Sequence, residues 1–241
     1  MVGTVRHIVN NKNQHFVQWT VNDKNHIKNV IIPLLQKYPP LTSQTYFQFE
    51  YLIKCIKNPT VDNYLITKNH KYDLQLQNFS SIDDYDNLPS YFIEWLGGFI
   101  EAEGSFCVRK NNKNYTFSIG QNFDEYLIKA ICKFYSSNVK VQQKYIKYNY
   151  NKHKNIEPKY FYEISFASIK DLIKITNHCS YILQGYKYIQ IINFIQNNTK
   201  LQDYMNKSGL KSVMLSCYYE NKIELILGID YAINFSSSHR N

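Results

Sequence analysis

The sequence predicts an α+β protein that contains two copies of one strand–helix unit, the first of them incomplete. Residues 16–57 and 161–197 show the same order of strand, helix, turn and helix, and residues 88–160 have no counterpart ahead of the first copy. Hydrophobic residues make up 44% of 241 residues, which is enough for a packed core. Two unrelated strand–helix units are the alternative explanation.

The first copy begins with alternating β-favouring residues at 16–21. Asn22 and Asp23 are residue types that cap helices, and apolar residues at helical spacing predict a helix over 26–37. Pro33 should disturb the middle of this helix, because proline lacks a backbone donor. A turn at 38–43 and a second helix at 46–56 complete the copy.

The second copy repeats this order. A strand is predicted at 161–166, Ser168 is a candidate N-cap, and a helix follows it. A turn at 183–185 leads into a last helix at 188–196. When the copies are aligned, Phe16 falls on Phe161 and Thr20 on Ser165.

The segment from Pro89 to Gly104 carries the pattern that points to chemistry. Gly97 and Gly98 lie within a predicted helix, where each costs about 1 kcal/mol relative to alanine. A compensating contact is therefore expected. Gly98 and Ala102 are four residues apart, and this spacing places two small residues on one face, where another backbone can approach closely.

Glu101 and Glu103 end this helix, with Gly104 as a C-terminal cap. Carboxylates at that end oppose the helix dipole. A hard divalent cation bound there would make the placement of the carboxylates favourable, because Mg²⁺ binds carboxylate, phosphate and water oxygens. The alternative is a frayed helix that ends in a solvated acidic turn.

The run 96–106, LGGFIEAEGSF, resembles the signature helix of the LAGLIDADG homing endonucleases and their maturase relatives. Five of its nine signature positions are identical, and both acids are Glu in place of Asp. The resemblance implies a complete αββαββα-type unit with a concave antiparallel sheet at 88–200. It also implies that residues 1–72 are the C-terminal remnant of a first such unit, joined by a linker at 73–87 and followed by a tail at 201–241.

The resemblance implies residue roles as well. Glu103 corresponds to the catalytic acid that binds Mg²⁺, Gln121 to a polar residue near the active site, and Lys187 to a basic residue close to the attacked phosphate. Gly98 and Ala102 correspond to the positions where two signature helices touch. This sequence departs from the family in having one signature helix, so the second acid would come from a homodimer or from an upstream half.

A basic surface is predicted independently of the resemblance. Lys and Arg number 28 against 19 acidic residues, a net charge of +9 that favours a polyanionic partner. The candidate nucleic-acid-binding residues are Arg109, Lys110, Lys113, Lys140, Gln142, Lys144 and Lys147. Lysines would hold phosphates, while Gln and Arg read base edges of double-stranded DNA. Interleaved tyrosines that stack on unpaired RNA bases, or a merely solvated face, are the alternatives.

Several classes of protein and site are excluded. No apolar run approaches the length that spans a bilayer, so no membrane association is expected. The five cysteines form no pair or cluster of metal-site spacing and are interpreted as reduced thiols. No Gly-rich phosphate loop and no Ser/His/Asp pattern is present.

The composition also bears on location. It is rich in Ile, Asn, Lys and Tyr, all of which AT-rich codons encode, and this bias is typical of a bacterial or an organelle genome. We expect a mitochondrial protein. The leading function is that of an organellar, metal-dependent DNA endonuclease of the LAGLIDADG type. The alternatives are a maturase that binds intron RNA and an inactive remnant that binds nucleic acid.

Overall fold

The computed structural model describes residues 2–9, 15–73, 88–109, 114–146 and 159–208. These residues fall into two compact units, here called unit 1 (2–73) and unit 2 (88–208). No helix in the described ranges combines the length and apolar character needed to cross a membrane. The predicted linker residues 74–87 and most of the tail lie outside the described residues.

Unit 1 starts with a two-stranded antiparallel sheet. Strand β1 (Thr4–Val9) pairs with β2 (His15–Thr20) so that Thr4 lies opposite Thr20. Strand β2 confirms the predicted strand, whereas β1 is not among the predicted elements. Its sequence, TVRHIV, does not alternate strictly, since Arg6 and His7 are adjacent polar residues, and a stretch of six residues is too short for periodicity alone to assign.

The first helix of unit 1, α1, has three parts that together span 24–37. The α-helical Lys24–His26 is followed by a π-helical Ile27–Ile31 and an α-helical Ile32–Lys37. Asp23 caps it as predicted, since its Oδ1 accepts the N–H of Asn25 over 2.7 Å and of His26 over 3.0 Å. The π-helical part ends two residues before Pro33, where the sequence predicts a disturbance.

Two further helices complete unit 1. Helix α2 (Ser43–Lys57) buries Phe47 and Phe49, and α3 (Val61–Thr67) follows it. The sequence predicts α2 but not α3. Tyr51 links the two, because its hydroxyl donates to the carbonyl oxygen of Tyr64 over 3.2 Å.

Unit 2 contains the predicted αββαββα order and continues past it. Its elements are α4 (Phe92–Glu103), β3 (Ser105–Arg109), β4 (Asn114–Asn122), α5 (Glu125–Phe134), β5 (Gln142–Ile146), β6 (Lys159–Phe166), α6 (Ile169–Ile182), α7 (Tyr186–Gln196) and α8 (Thr199–Lys207). The four strands form one antiparallel sheet in the order β3-β4-β6-β5. This architecture confirms the α+β prediction.

The sheet of unit 2 has two chemically different faces. Phe117, Ile119, Ile164 and Phe166 are at most 1% exposed, and they lie on the face that the helices cover. The register places the intervening residues, such as Ser118 opposite Ser165 and Gln142 opposite Glu163, on the other face, here called the open face. The residues named here on the open face are polar, whereas those on the covered face are apolar.

Helix α8 begins at Thr199, so the predicted boundary at residue 200 falls inside a helix. Asn198 caps it by accepting the N–H of Leu201 over 3.3 Å. Leu201 and Met205 are 0% and 1% exposed, and α8 packs on α6 and α7. The core of unit 2 therefore includes this helix.

Candidate functional site

Helix α4 carries both acids of the predicted site. It begins at Phe92, and Tyr91 at its N-cap makes no side-chain capping bond. It packs against α6, α7 and β4. A Cβ on Gly97 would overlap the Cγ2 of Ile182 on α6, so this glycine is required for the close packing of the two helices. The expected compensating contact therefore exists, and it is made by Gly97.

Glu101 binds the start of helix α7. Its Oε1 accepts the N–H of Gly185 over 2.8 Å and that of Gln184 over 3.2 Å, and its Oε2 accepts the N–H of Lys187 over 3.2 Å. The N-cap of α7 is Gly185, which has no capping side chain. The carboxylate of Glu101 thus satisfies donors that α7 cannot satisfy itself, at the helix end where the dipole favours an anion.

Gly185 leaves just enough room for this carboxylate. A Cβ at position 185 would lie 2.9 Å from Oε2 of Glu101. The backbone there has φ −97° and ψ −152°, an extended conformation open to any residue. Close approach of Glu101, rather than backbone conformation, therefore explains the glycine.

The thiol of Cys179 lies near Glu101 in the core. Cys179 is 1% exposed, and burial raises the pKa of its thiol far above the ordinary range, with the negative charge of Glu101 adding to the shift. The thiol therefore stays protonated at neutral pH, and Cys179 acts here as a packing residue. The four cysteines of the described residues are free, as expected.

Glu103 has the opposite environment. It is exposed, and the described residues provide its carboxylate with no hydrogen bond and no ion pair. Gly104 follows with φ −68° and ψ 145°, so the chain passes directly from α4 into β3 without a left-handed residue. A Cβ on Gly104 would lie 2.7 Å from the carbonyl oxygen of Ile100 and 3.1 Å from the Phe117 ring. Glycine is required here because the backbone passes close to Ile100 and Phe117 as it enters β3.

Lys187 and Gln121 are the other two predicted catalytic residues. Lys187 is half-buried in the first turn of α7, and its backbone ties it to Glu101. Gln121 lies at the end of β4, on the same side of the strand as Phe117 and Ile119. Its Oε1 accepts the N–H of Asn122 over 3.2 Å. Hydrogen bonds thus connect Lys187 to the helix of Glu103, but they do not connect Gln121 to either residue.

The open face contains two of the predicted nucleic-acid-binding residues, Gln142 and Lys144. Gln142 and Lys144 alternate along β5 and are exposed, and Lys140 is exposed just before this strand. Arg109 is the last residue of β3, opposite Asn114. Lys110, Lys113 and Lys147 lie outside the described residues.

Lys144 has a partner that sequence reasoning missed. Its Nζ forms an ion pair with Oε2 of Glu163 on β6, and the side chains are 54% and 21% exposed. Glu163 therefore places a negative charge on the open face. The position of Glu163 in an alternating strand is the only signal for this contact in the sequence. The pairing of β5 with β6, which brings the two side chains together, depends on the tertiary fold.

The two predicted helix-contact residues lie on an uncovered part of α4. Gly98 and Ala102 are both exposed, and a Cβ on Gly98 would meet nothing within 4 Å. Neither residue packs inside unit 2. Their assignment as a helix–helix contact stays a prediction.

No group of three or more His, Cys, Asp or Glu side chains in the described part of the chain is arranged to hold a metal ion. A metal ligand set in this part of the chain would therefore combine at most two such side chains with other ligand atoms. Glu103 is the exposed carboxylate at the end of α4, and the last carbonyl groups of an α-helix have no partner within the helix. These are hard oxygen donors of the kind that Mg²⁺ accepts.

Comparisons with known proteins show similarity to one family. Residues 2–56 match the family model described as LAGLIDADG endonuclease. A Debaryomyces hansenii protein named "Probable intron-encoded endonuclease aI3" is 32% identical over 228 residues, which cover 81% of this chain and 31% of that protein. A Dictyostelium citrinum protein of the same name is 34% identical over 133 residues, which cover 55% of this chain and 52% of that protein. This chain therefore spans about a third and about half of the two relatives.

A solved structure shares the fold. The LAGLIDADG homing endonuclease I-GzeII, determined in complex with its DNA target, matches with a TM-score of 0.51 at 17% identity, over 90% of this chain and 78% of that one. The family model matches unit 1, whereas the signature helix α4 lies in unit 2. Both units of this chain therefore resemble LAGLIDADG endonucleases, unit 1 through the family model and unit 2 through the signature helix.

Proposed function

We propose that the chain provides one catalytic centre of an organellar homing endonuclease, which hydrolyses a phosphodiester bond of double-stranded DNA. One observation carries the proposal: α4 ends with an exposed, unpaired carboxylate at Glu103, immediately before the first strand of a sheet whose open face is polar. This arrangement brings an acid to the edge of a surface that suits a nucleic acid.

The residues at this edge fit a divalent cation. Glu103 supplies a carboxylate, and the end of α4 supplies carbonyl oxygens, so a hard cation such as Mg²⁺ would find oxygen donors there. A bound Mg²⁺ would polarise the phosphate and stabilise the charge that develops on its oxygens. Glu103 would hold the cation and orient the attacking water.

Lys187 and Gln121 have supporting roles in this proposal. The ammonium group of Lys187 offsets negative charge that develops on the phosphate, and Gln121 helps to position water. The backbone link between Lys187 and Glu101 supports a location of Lys187 near the end of α4. The role of Gln121 rests on the family resemblance, since its alternation with Phe117 and Ile119 assigns it to the helix-covered side at the end of β4.

The open face would bind the DNA. Lys140 is free to contact phosphates, Gln142 can read base edges in the major groove, and Lys144 is held beside Glu163. The net charge of +9 favours such a polyanion. The solved relative I-GzeII is a complex with DNA, which supports the same class of partner.

Origin in a mitochondrion rests on two supports. The composition is typical of AT-rich coding sequence, and the relatives of D. hansenii and D. citrinum are named intron-encoded endonucleases. We therefore propose a chain that is made, and acts on DNA, inside the organelle.

The test is Glu103→Gln, which removes the charge of the carboxylate and changes its volume little. We expect Mg²⁺-dependent hydrolysis of a target-site DNA to fall by at least about 100-fold, since catalytic charge stabilisation of this kind is worth about 3–4 kcal/mol. DNA affinity in the absence of Mg²⁺ should stay within about twofold. Single-turnover gel assays and fluorescence anisotropy provide the two measurements.

The matched control is Glu94→Gln, an exposed acid in the first turn of the same helix. This change should leave both hydrolysis and binding unaltered. Cleavage that persists in Glu103→Gln, or that proceeds equally well in EDTA, would refute the assignment of Glu103.

A further inference from the structure

We propose that Glu101 is a positioning residue, which holds Lys187 in place relative to Glu103. This inference rests on the proposed function, because it assigns a role to the second acid of the same helix. Glu101 does not itself touch the reacting groups in this proposal. Its role is to connect the helix of the metal-binding acid to the turn that carries the basic residue.

The contacts of Glu101 support this role directly. Both carboxylate oxygens are occupied by backbone N–H groups, those of Gln184 and Gly185 on Oε1 and that of Lys187 on Oε2. The last of these donors belongs to Lys187 itself. The carboxylate therefore fixes the backbone from which the Lys187 side chain extends.

Glu101 and Glu103 lie in the same last turn of α4, two residues apart. One carboxylate is turned to the start of α7 and the other to solvent. A displacement of α7 relative to α4 would thus change the separation between the Lys187 and Glu103 side chains. Errors of about 1 Å in such an arrangement cost on the order of 100-fold in rate.

The start of α7 depends on this outside carboxylate. Its N-cap is Gly185, so the helix has no capping side chain of its own. A glutamine at position 101 has one acceptor oxygen and an NH₂ group that only donates, so it cannot receive all three N–H groups with the same geometry. The charge that favours the N-terminal end of α7 is lost as well.

Two variants test the link by different routes. Glu101→Gln removes the charge and one acceptor. Gly185→Ala retains the carboxylate but places a Cβ 2.9 Å from its Oε2 and 3.2 Å from its Cδ, so the end of the Glu101 side chain must move. Since this end is flexible and the backbone at 185 is extended, the alanine variant is expected to fold. Glu94→Gln is the control on the same helix.

Three readouts are measured on the full chain: amide hydrogen exchange at residues 184–187, the affinity for target-site DNA without metal, and the single-turnover rate of Mg²⁺-dependent hydrolysis. Both variants should exchange these amides at least about tenfold faster and bind DNA within about twofold of wild type. Their rate of hydrolysis should fall by about 100-fold. Glu101→Asp, which retains two acceptor oxygens, should recover part of the rate.

The outcomes separate this inference from the proposed function. If wild type hydrolyses DNA and Glu101→Gln does so at the same rate, the positioning role is refuted and the endonuclease proposal stands. If wild type hydrolyses no DNA, the endonuclease proposal fails, and the positioning role fails with it. If the DNA affinity of both variants falls in proportion to their rate, Glu101 is a structural residue only and the inference is overturned.

Discussion

At the scale of single residues, Glu101 and Glu103 show how a neighbouring helix gives two similar side chains different environments. Both oppose the dipole at the end of α4. Three N–H groups at the N-terminal end of α7 bind the carboxylate of Glu101 and offset its unfavourable interaction with the dipole. No described residue does the same for Glu103. The free energy cost at Glu103 is thus retained in the folded chain, and a bound cation is the partner that would remove it.

The ion pair of Lys144 with Glu163 leads to a prediction about DNA binding. Glu163→Gln should strengthen binding to non-specific DNA, because it removes a negative charge from the open face and releases Lys144 for a phosphate. The slope of log K against log salt should become steeper by roughly one unit, as expected for one added phosphate contact. Titrations at several salt concentrations, followed by fluorescence anisotropy, measure this slope.

A second ion pair provides the control for that experiment. Glu125 and Lys129 are four residues apart on helix α5, 3.1 Å from each other and exposed. Glu125→Gln removes the same charge from a different surface, so it should leave the salt slope unchanged. An equal effect of both variants would indicate general electrostatics, and no effect of Glu163→Gln would place the DNA on another surface.

At the scale of elements, the two adjacent glycines of α4 are predicted to respond in opposite ways to alanine. Gly97→Ala should destabilise the chain by about 1–3 kcal/mol, because its Cβ overlaps Ile182 and the core must shift. Gly98→Ala should stabilise it by up to about 1 kcal/mol, since the Cβ meets nothing and alanine favours the helix.

Urea denaturation measures both free energies of unfolding. The chain has two Trp, so a Trp19→Phe background leaves Trp95, which stacks on Phe99 in α4, as the probe of unit 2. Ile182→Ala should relieve most of the cost of Gly97→Ala. Equal stability of Gly97→Ala and Gly98→Ala would contradict the packing of α4 on α6 described above.

Much of the element order was predictable from the sequence, because it depends on local signals. Asp23 and Ser168 are caps in the structure as predicted, and the disturbance at Pro33 is present. The predicted signature helix and both following strands are confirmed. Strand β1 and helices α3 and α8 were not predicted, since their stability depends on packing that short apolar patterns do not reveal.

The candidate site was predictable only in part. The sequence identifies both acids of α4 but treats them alike, because their difference arises from α7, more than 80 residues away in the chain. It also predicts compensation for the glycines without showing that Gly97, and not Gly98, makes the contact. The missing cap at the start of α7 was a usable signal, as a helix that begins at a glycine needs an outside acceptor.

At the scale of the whole molecule, helix α8 is predicted to be part of the cooperative unit. Leu201→Ala should lower the free energy of unfolding of unit 2 by about 2–5 kcal/mol, because Leu201 is fully buried. Asn206→Ala, an exposed position on the same helix, should change it by less than about 0.5 kcal/mol. Equal stability of the two variants, measured by urea denaturation, would place the end of the unit near residue 200.

The last prediction concerns cleavage of both DNA strands. If Glu103 is the catalytic acid, as proposed, a double-strand cut by this chain needs two copies of it, because unit 2 offers one exposed acid at the end of α4. A chain that acts alone should therefore nick its target. Double-strand product should appear only as protein concentration rises, if two copies pair through the small face at Gly98 and Ala102. Such a pairing is self-complementary under a twofold axis.

Gly98→Leu tests this pairing without disturbing the isolated unit, because the space beside Gly98 is open. The variant should unfold at nearly the same urea concentration as wild type and should still nick DNA, but it should yield no double-strand product at any concentration. Gels that resolve nicked from linear plasmid, together with sedimentation of the DNA complex, report both properties. Double-strand cutting by Gly98→Leu at the wild-type rate would show that the second acid reaches the DNA by another route than the exposed face of α4.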